Sequence, residues 1–231
     1  MSGEAGKLAR VLDGLEGRYG KLASPVPEDP YELVVFLNCG YPASDEACAK
    51  GFAALKTEVG LHPAALMAAE PEALAEAMRP GGMVPEVRAQ RLKQIAAVVQ
   101  NELGGDLRAA LLARPAKAKA LLKRFPTLGE PAAERILLFC GVSPEPAAPA
   151  GGLQVFTRLG LSDEGKDFTA TFRAARAAIA AATPDDFAPR RRAYLLLKTH
   201  GHRLCKRSAP LCEQCPVTRE CAYFRETSEA R

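Results

Sequence analysis

Four of the seven cysteines fall within seventeen residues, as Cys205, Cys212, Cys215 and Cys221 in the spacing C-x6-C-x2-C-x5-C. A C-x2-C pair lets two thiolates face one metal from a tight turn, and two more thiolates complete a tetrahedral set. Four thiolates hold either one zinc ion or an iron–sulfur cluster. Zinc sites more often pair two C-x2-C knuckles across a long gap, and only one such pair is present, so the spacing favours the cluster. His200 and His202 lie close by. Four sulfurs already suffice as ligands, which leaves both histidines supporting or surface roles. The other thiols, Cys39, Cys48 and Cys140, sit in apolar or helical contexts and read as buried small hydrophobes.

Beside the cysteines runs a basic stretch. The net charge is only +4, yet no acidic residue occurs from Phe187 to Ser208, where Arg190, Arg191, Arg192, Lys198, Arg203, Lys206 and Arg207 accumulate. Such a stretch is either a solvated helix face or an electrostatic footprint for a polyanion, most simply nucleic acid.

These residues must be positioned by helices. Segments such as "GKLARVLDGLEGRYGKL", "DPYELVVFLNCG" and "SDEACAKGFAALKTEVG" show helical apolar spacing or high helix propensity. So do "HPAALMAAEPEALAEAMRPGG", "PEVRAQRLKQIAAVVQNELGG" and "DLRAALLARPAKAKALLKRFP". Ser44 is placed to cap one helix, while Gly81-Gly82 and Gly104-Gly105 stop others. "GVSPEPAAPAGG" is too rich in Pro and Gly for regular helix and separates a last helical set, "LQVFTRLGL", "GKDFTATFRAARAAIAAAT" and "DDFAPRRRAYLLLKTHGHRLC". No alternating strand pattern competes, so the expected fold class is all-α. The 231 residues allow one large domain or two smaller ones, and 48% hydrophobic with 25% charged residues is ordinary for a globular protein. No apolar run reaches membrane-span length and the N-terminus lacks a secretory signal, so the expected compartment is the cytoplasm. In that reducing setting a tight cysteine set is a metal site rather than a pair of disulfides.

The cysteine spacing, the "HG" before the first cysteine and the basic residues between the first two resemble the 4Fe-4S loop of endonuclease III and the related adenine glycosylases. These belong to the helix-hairpin-helix DNA glycosylase superfamily. The resemblance extends over nearly the whole chain. "DPYELVVFL" is similar to the start of the family's second helix, and "RAQRLKQI" to the segment that usually reads K-A-x-x-I. "LLKRFPTLGEPAAERIL" stands where L-P-G-V-G-x-K-T-A is expected, and "VFTRLGL" matches the stretch just after the catalytic aspartate. The resemblance implies two helical domains with DNA between them: a six-helix barrel module over residues 23–143, and a cluster domain from residues 1–22 and 144–231. It implies a 4Fe-4S cluster on the four cysteines. It further implies double-stranded DNA as partner, held by the hairpin turn Thr127, Leu128 and Gly129 and by Arg203, Lys206 and Arg207. A monomer, nucleoid-associated when bound to DNA, is the expected form.

The resemblance also marks a departure. The lysine that attacks the sugar falls at Pro131, and the aspartate eighteen residues further on falls at Pro149. The duplex-penetrating glutamine falls at Pro42, the acid of adenine glycosylases near Leu37, and the first hairpin glycine at Thr127, with Glu130 facing the expected phosphate. Proline offers no amine for a Schiff base and no carboxylate for a base. Each proline suits its place, since Pro131 falls in the first turn of a helix, where no intrahelical N–H is required. The expected protein is therefore a DNA-binding member of repair type without the family's Lys/Asp chemistry. Two alternatives stand beside it. One is an active glycosylase using Lys123, Glu130, Glu134 or Glu145. The other is a cluster protein with redox or protein contacts and no DNA role.

Overall fold

The structure, a computed structural model, describes residues 2–42 and 44–229. Ala43, within the loop that carries Pro42, lies outside them. Regular structure among the described residues is helical. The first helices are α1 (Ser2–Tyr19), α2 (Pro30–Asn38), α3 (Asp45–Glu58), α4 (Pro63–Ala68), α5 (Pro71–Met78) and α6 (Pro85–Glu102). There follow α7 (Leu107–Ala113), α8 (Pro115–Leu122), α9 (Glu130–Phe139), α10 (Leu153–Leu159), α11 (Phe168–Ala182), α12 (Phe187–Arg203) and α13 (Ala222–Glu229). Single 3-10 turns occupy Arg79–Gly81, Ala150–Gly152, Cys212–Gln214 and Thr218–Glu220.

Two segments that read as single helices are each two. Pro71 separates α4 from α5, and Pro115 separates α7 from α8, because the residue before a proline is driven out of the helical region. Glu70 (φ −65°, ψ 141°) and Arg114 (φ −141°, ψ 69°) both show this. Ser44 caps α3 as its position suggests, its hydroxyl accepting from the Ala47 N–H at 3.1 Å.

The chain divides into two compact units, Pro25–Ser143 and Met1–Ser24 with Pro144–Arg231. In the first unit α2 is enclosed on nearly every side, with Leu33, Val34, Val35 and Phe36 buried. Cys39, Cys48 and Cys140 are buried among apolar neighbours, as small hydrophobes. The organising polar group is Arg88 of α6, only 1% exposed. Its guanidinium donates to the carbonyls of Cys39 (2.5 Å), Met78 (3.0 Å), Gly82 (2.7 Å) and Met83 (3.0 Å). Gly81 and Gly82 therefore do more than stop a helix. A Cβ on Gly81 would collide with the Cys39 carbonyl oxygen, and Gly82 takes φ +106° against Tyr41. Backbone bonds from Tyr41 N to Gly81 O and from Met83 N to Tyr41 O join the two loops. Tyr41 and Met83 are left about half exposed on that rigid base.

In the second unit α1 lays Leu8, Val11, Leu12 and Leu15 into a core with Val155, Phe156 and Leu159 of α10, Phe172 and Ile179 of α11, and Leu196 and Leu197 of α12. Val217 and Cys221 of the cysteine segment enter the same core. Arg192 of α12 grips Asp13 and Glu16 of α1 at 2.8 Å each, and Arg10 of α1 pairs with Glu220 at 2.8 Å.

Replacing Arg88 by Met keeps an unbranched stem and removes every donor at once. Each buried acceptor left unpaired costs about 1–3 kcal/mol, so Arg88→Met should lose roughly 3 kcal/mol or more in urea denaturation. A loss under about 1 kcal/mol would show that these carbonyls find other donors.

Candidate metal centre and nucleic-acid interface

Between α12 and α13 the chain forms no helix longer than one turn, yet all four cysteines of that segment line a single small cavity of about 20 Å³. Leu159, Leu204, Leu211, Phe224, His200 and Arg158 are among its other wall residues. None of the four thiols is in a disulfide. Burial pushes the Cys205, Cys215 and Cys221 thiols up, Cys215 to about 11. Among the described residues no three His, Cys, Asp or Glu are arranged to hold a metal ion.

Donors from neighbouring helices hold this segment. Arg158, at the end of α10, donates to the carbonyls of Lys206 (2.6 Å) and Arg207 (2.8 Å) and reaches to 3.6 Å from Cys205 Sγ. Its guanidinium also lies over the Tyr223 ring at 5.0 Å. Gln154 donates to the Cys205 carbonyl at 3.0 Å, and Cys221 Sγ donates to the Arg158 carbonyl at 3.2 Å. His200 is buried against Cys215, and its burial holds the imidazole pKa down to about 4. Spacing alone does not single out Arg158 or Gln154, because their partners are backbone carbonyls that leave no mark in a sequence.

The basic stretch separates into two kinds of residue. Arg190 is buried, donating to the Pro144 carbonyl and to Asp185 at 2.5 Å, and Arg192 is engaged by Asp13 and Glu16. Those two arginines serve the fold, so the footprint read over the whole of Arg190 to Arg207 shrinks. Arg191 stacks over Phe187 at 5.2 Å. Arg203, Lys206 and Arg207 are exposed, with Arg203 also 5.8 Å over the Tyr19 ring.

The hairpin turn lies between α8 and α9. Thr127 adopts φ +65°, a left-handed conformation that suits glycine. Its hydroxyl donates at 3.0 Å to Oδ1 of buried Asn38, whose amide in turn donates to the Val34 carbonyl. Leu128 is buried and anchors the turn, so only its backbone faces outward, while Thr127 and Gly129 are exposed. Gly129 is the N-cap of α9, which has no side-chain cap.

Comparison with solved structures is consistent over the full chain. A non-covalent endonuclease III–DNA complex matches with a TM-score of 0.78 at 17% identity, covering 97% of this chain and 98% of that one. A trapped endonuclease III–DNA covalent intermediate matches at 0.77 and 16%, with coverage of 97% and 98%. A thermostable thymine-DNA glycosylase matches at 0.74 and 18%, with 95% of each chain covered. The chain has the endonuclease III fold. No family model and no curated protein matches it by sequence.

Within this endonuclease III fold, Pro131 is the second residue of α9 and half-buried. Pro149 is buried and precedes the 3-10 turn into α10. Its carbonyl accepts from Gly152 N at 2.8 Å, and its ring packs where a Cβ on Gly152 would be only 3.3 Å away. Glu134 is fully buried and paired with Lys119 at 2.8 Å. Pro42 is exposed beside Tyr41.

Thr127 offers a direct test of the hairpin. Thr127→Ala keeps the left-handed strain and leaves Asn38 Oδ1 without its donor, and should cost about 1–2 kcal/mol. Thr127→Gly loses the same bond but relieves the strain, and should be about 1 kcal/mol more stable than the alanine variant. Equal stability of the two in chemical denaturation would mean that the turn is not held left-handed.

Proposed function

We propose that this protein binds duplex DNA in damage recognition or repair, carries a 4Fe-4S cluster on Cys205, Cys212, Cys215 and Cys221, and lacks lysine-based lyase chemistry. The observation that carries the reading is the set of four undisulfided cysteines lining one cavity, with exposed Lys206 and Arg207 immediately beside the first of them. The likeness to endonuclease III bound to DNA supports it. The residues present fit the cluster in kind: four cysteines line one cavity, and its walls are largely apolar. When bound, such a cluster supplies electron-transfer capacity and a rigid cross-link, with no open coordination position for a substrate.

The chain's own residues then divide the work of holding DNA. Arg203, Lys206 and Arg207 offer cations to phosphates, and Arg158 holds the backbone that carries the last two. Backbone N–H groups at Gly129 and the start of α9 offer a second phosphate contact, weakened because Pro131 lacks an N–H and Glu130 adds negative charge. Tyr41 and Met83, exposed on a rigid base, are the apolar side chains suited to enter a base step. The enzyme alternative gains nothing from Glu134, which is fully buried and held by the partly exposed Lys119.

Anaerobically prepared protein should be brown and contain about four irons per chain; one tight zinc and no iron would sink the cluster. Lys206→Ala with Arg207→Ala should flatten the salt dependence of duplex binding by up to roughly two counterions. Arg192→Ala should lower stability and leave that slope unchanged. If the double variant binds as the wild type does, the basic loop is only a solvated surface. Borohydride should trap no covalent complex with abasic-site DNA, and a trapped adduct mapped to any lysine would make the protein a lyase.

A further inference from the structure

One polar chain in the second unit lies outside the four sulfurs. The Tyr19 hydroxyl, at the end of α1, is 3.1 Å from His200 Nδ1, and His200 Nε2 is 3.8 Å from Cys215 Sγ. His200 is 1% exposed, and Tyr19 is half-buried. The imidazole is thus fixed between one hydroxyl and one sulfur, inside the wall of the cysteine cavity. With four thiolates available it is not needed as a ligand, yet it is aimed at one of them.

We propose that Tyr19 and His200 are positioning residues for Cys215, with Tyr19 setting the imidazole tautomer so that Nε2–H points at the sulfur and raises the reduction potential of the bound cluster. The inference rests on the cluster reading above. A metal-bound thiolate only accepts hydrogen bonds, so the ring nitrogen facing it must carry the proton. In a neutral ring Nδ1 is then the acceptor, and the hydroxyl beside it can rotate to donate. The opposite tautomer would set the Nε2 lone pair against the sulfur in a buried site, where an unmatched pair of acceptors is costly. An N–H donated to a cysteinyl sulfur draws negative charge from it, which favours the reduced cluster. The Arg203 guanidinium over the Tyr19 ring puts a positive charge at the outer end of the same chain.

The test uses the anaerobically prepared full chain and reads iron content, reduction potential and the iron–sulfur vibrational spectrum. Wild-type protein without an iron–sulfur cluster would remove the cluster reading and this inference together. With the cluster present, Tyr19→Phe, which deletes one oxygen, should keep wild-type iron and lower the potential, with shifted iron–cysteine stretching bands. His200→Leu should lower the potential further, and His200→Gln, which restores an N–H donor, should return it toward wild type. Should His200→Leu fail to fold, the Tyr19→Phe and His200→Gln proteins decide the matter. Wild-type potential and spectra in Tyr19→Phe at full iron content would overturn the proposal and leave His200 a packing residue.

Discussion

A segment without regular secondary structure has backbone carbonyls and amides that no helix ladder satisfies, and buried groups of this kind must find partners elsewhere. The stretch from Leu204 to Cys221 is such a segment, and it holds four cysteines around one cavity. Its shape therefore depends on donors brought from outside. Arg158 serves the carbonyls of Lys206 and Arg207, Gln154 serves that of Cys205, and Arg10 ties Glu220 to α1. The same bonds explain why Lys206 and Arg207 point their charges outward: Arg158 binds their carbonyls, while their side chains stay exposed. Helices α1, α10 and α12 are a frame for this segment as much as a core of their own.

The other unit solves the same problem with a single side chain. Arg88 satisfies four carbonyls from two loops that the Gly81 and Gly82 contacts bring together. That arrangement leaves Tyr41 and Met83 exposed on a fixed support, since the backbone bonds between residues 41 and 81–83 close the base beneath them. An exposed apolar side chain on a fixed loop is a better wedge than one on a loose loop, because less entropy is lost when it is inserted.

Local rules make much of this fold legible in the chain itself. Apolar spacing locates the helices, Ser44 its cap, and the cysteine spacing a common site, because each depends on neighbours in the chain. Long-range pairing is not legible in that way. The seven basic residues look alike in sequence, and only the fold brings Asp13 and Glu16 to Arg192 and the Pro144 carbonyl to Arg190. His200 likewise reads as a spare histidine until α1 carries Tyr19 to it. Pro71 and Pro115 are visible, but whether a proline kinks a helix or divides it depends on packing. Helix α13 begins directly after the last cysteine, where the sequence patterns name no helix.

Pro131 and Pro149 each fit the backbone where they stand. A lysine replaced in mid-helix by proline would break a hydrogen bond, but the second position of α9 has no intrahelical N–H to lose. Pro149 is buried against Gly152 and is part of the packing. Thr127 follows the same logic in the opposite direction. It keeps the left-handed turn that a glycine would form without strain, and its hydroxyl gives part of the cost back through Asn38. The hairpin turn thus keeps its left-handed geometry through a side-chain bond, and Pro131 and Pro149 are accommodated by the backbone around them.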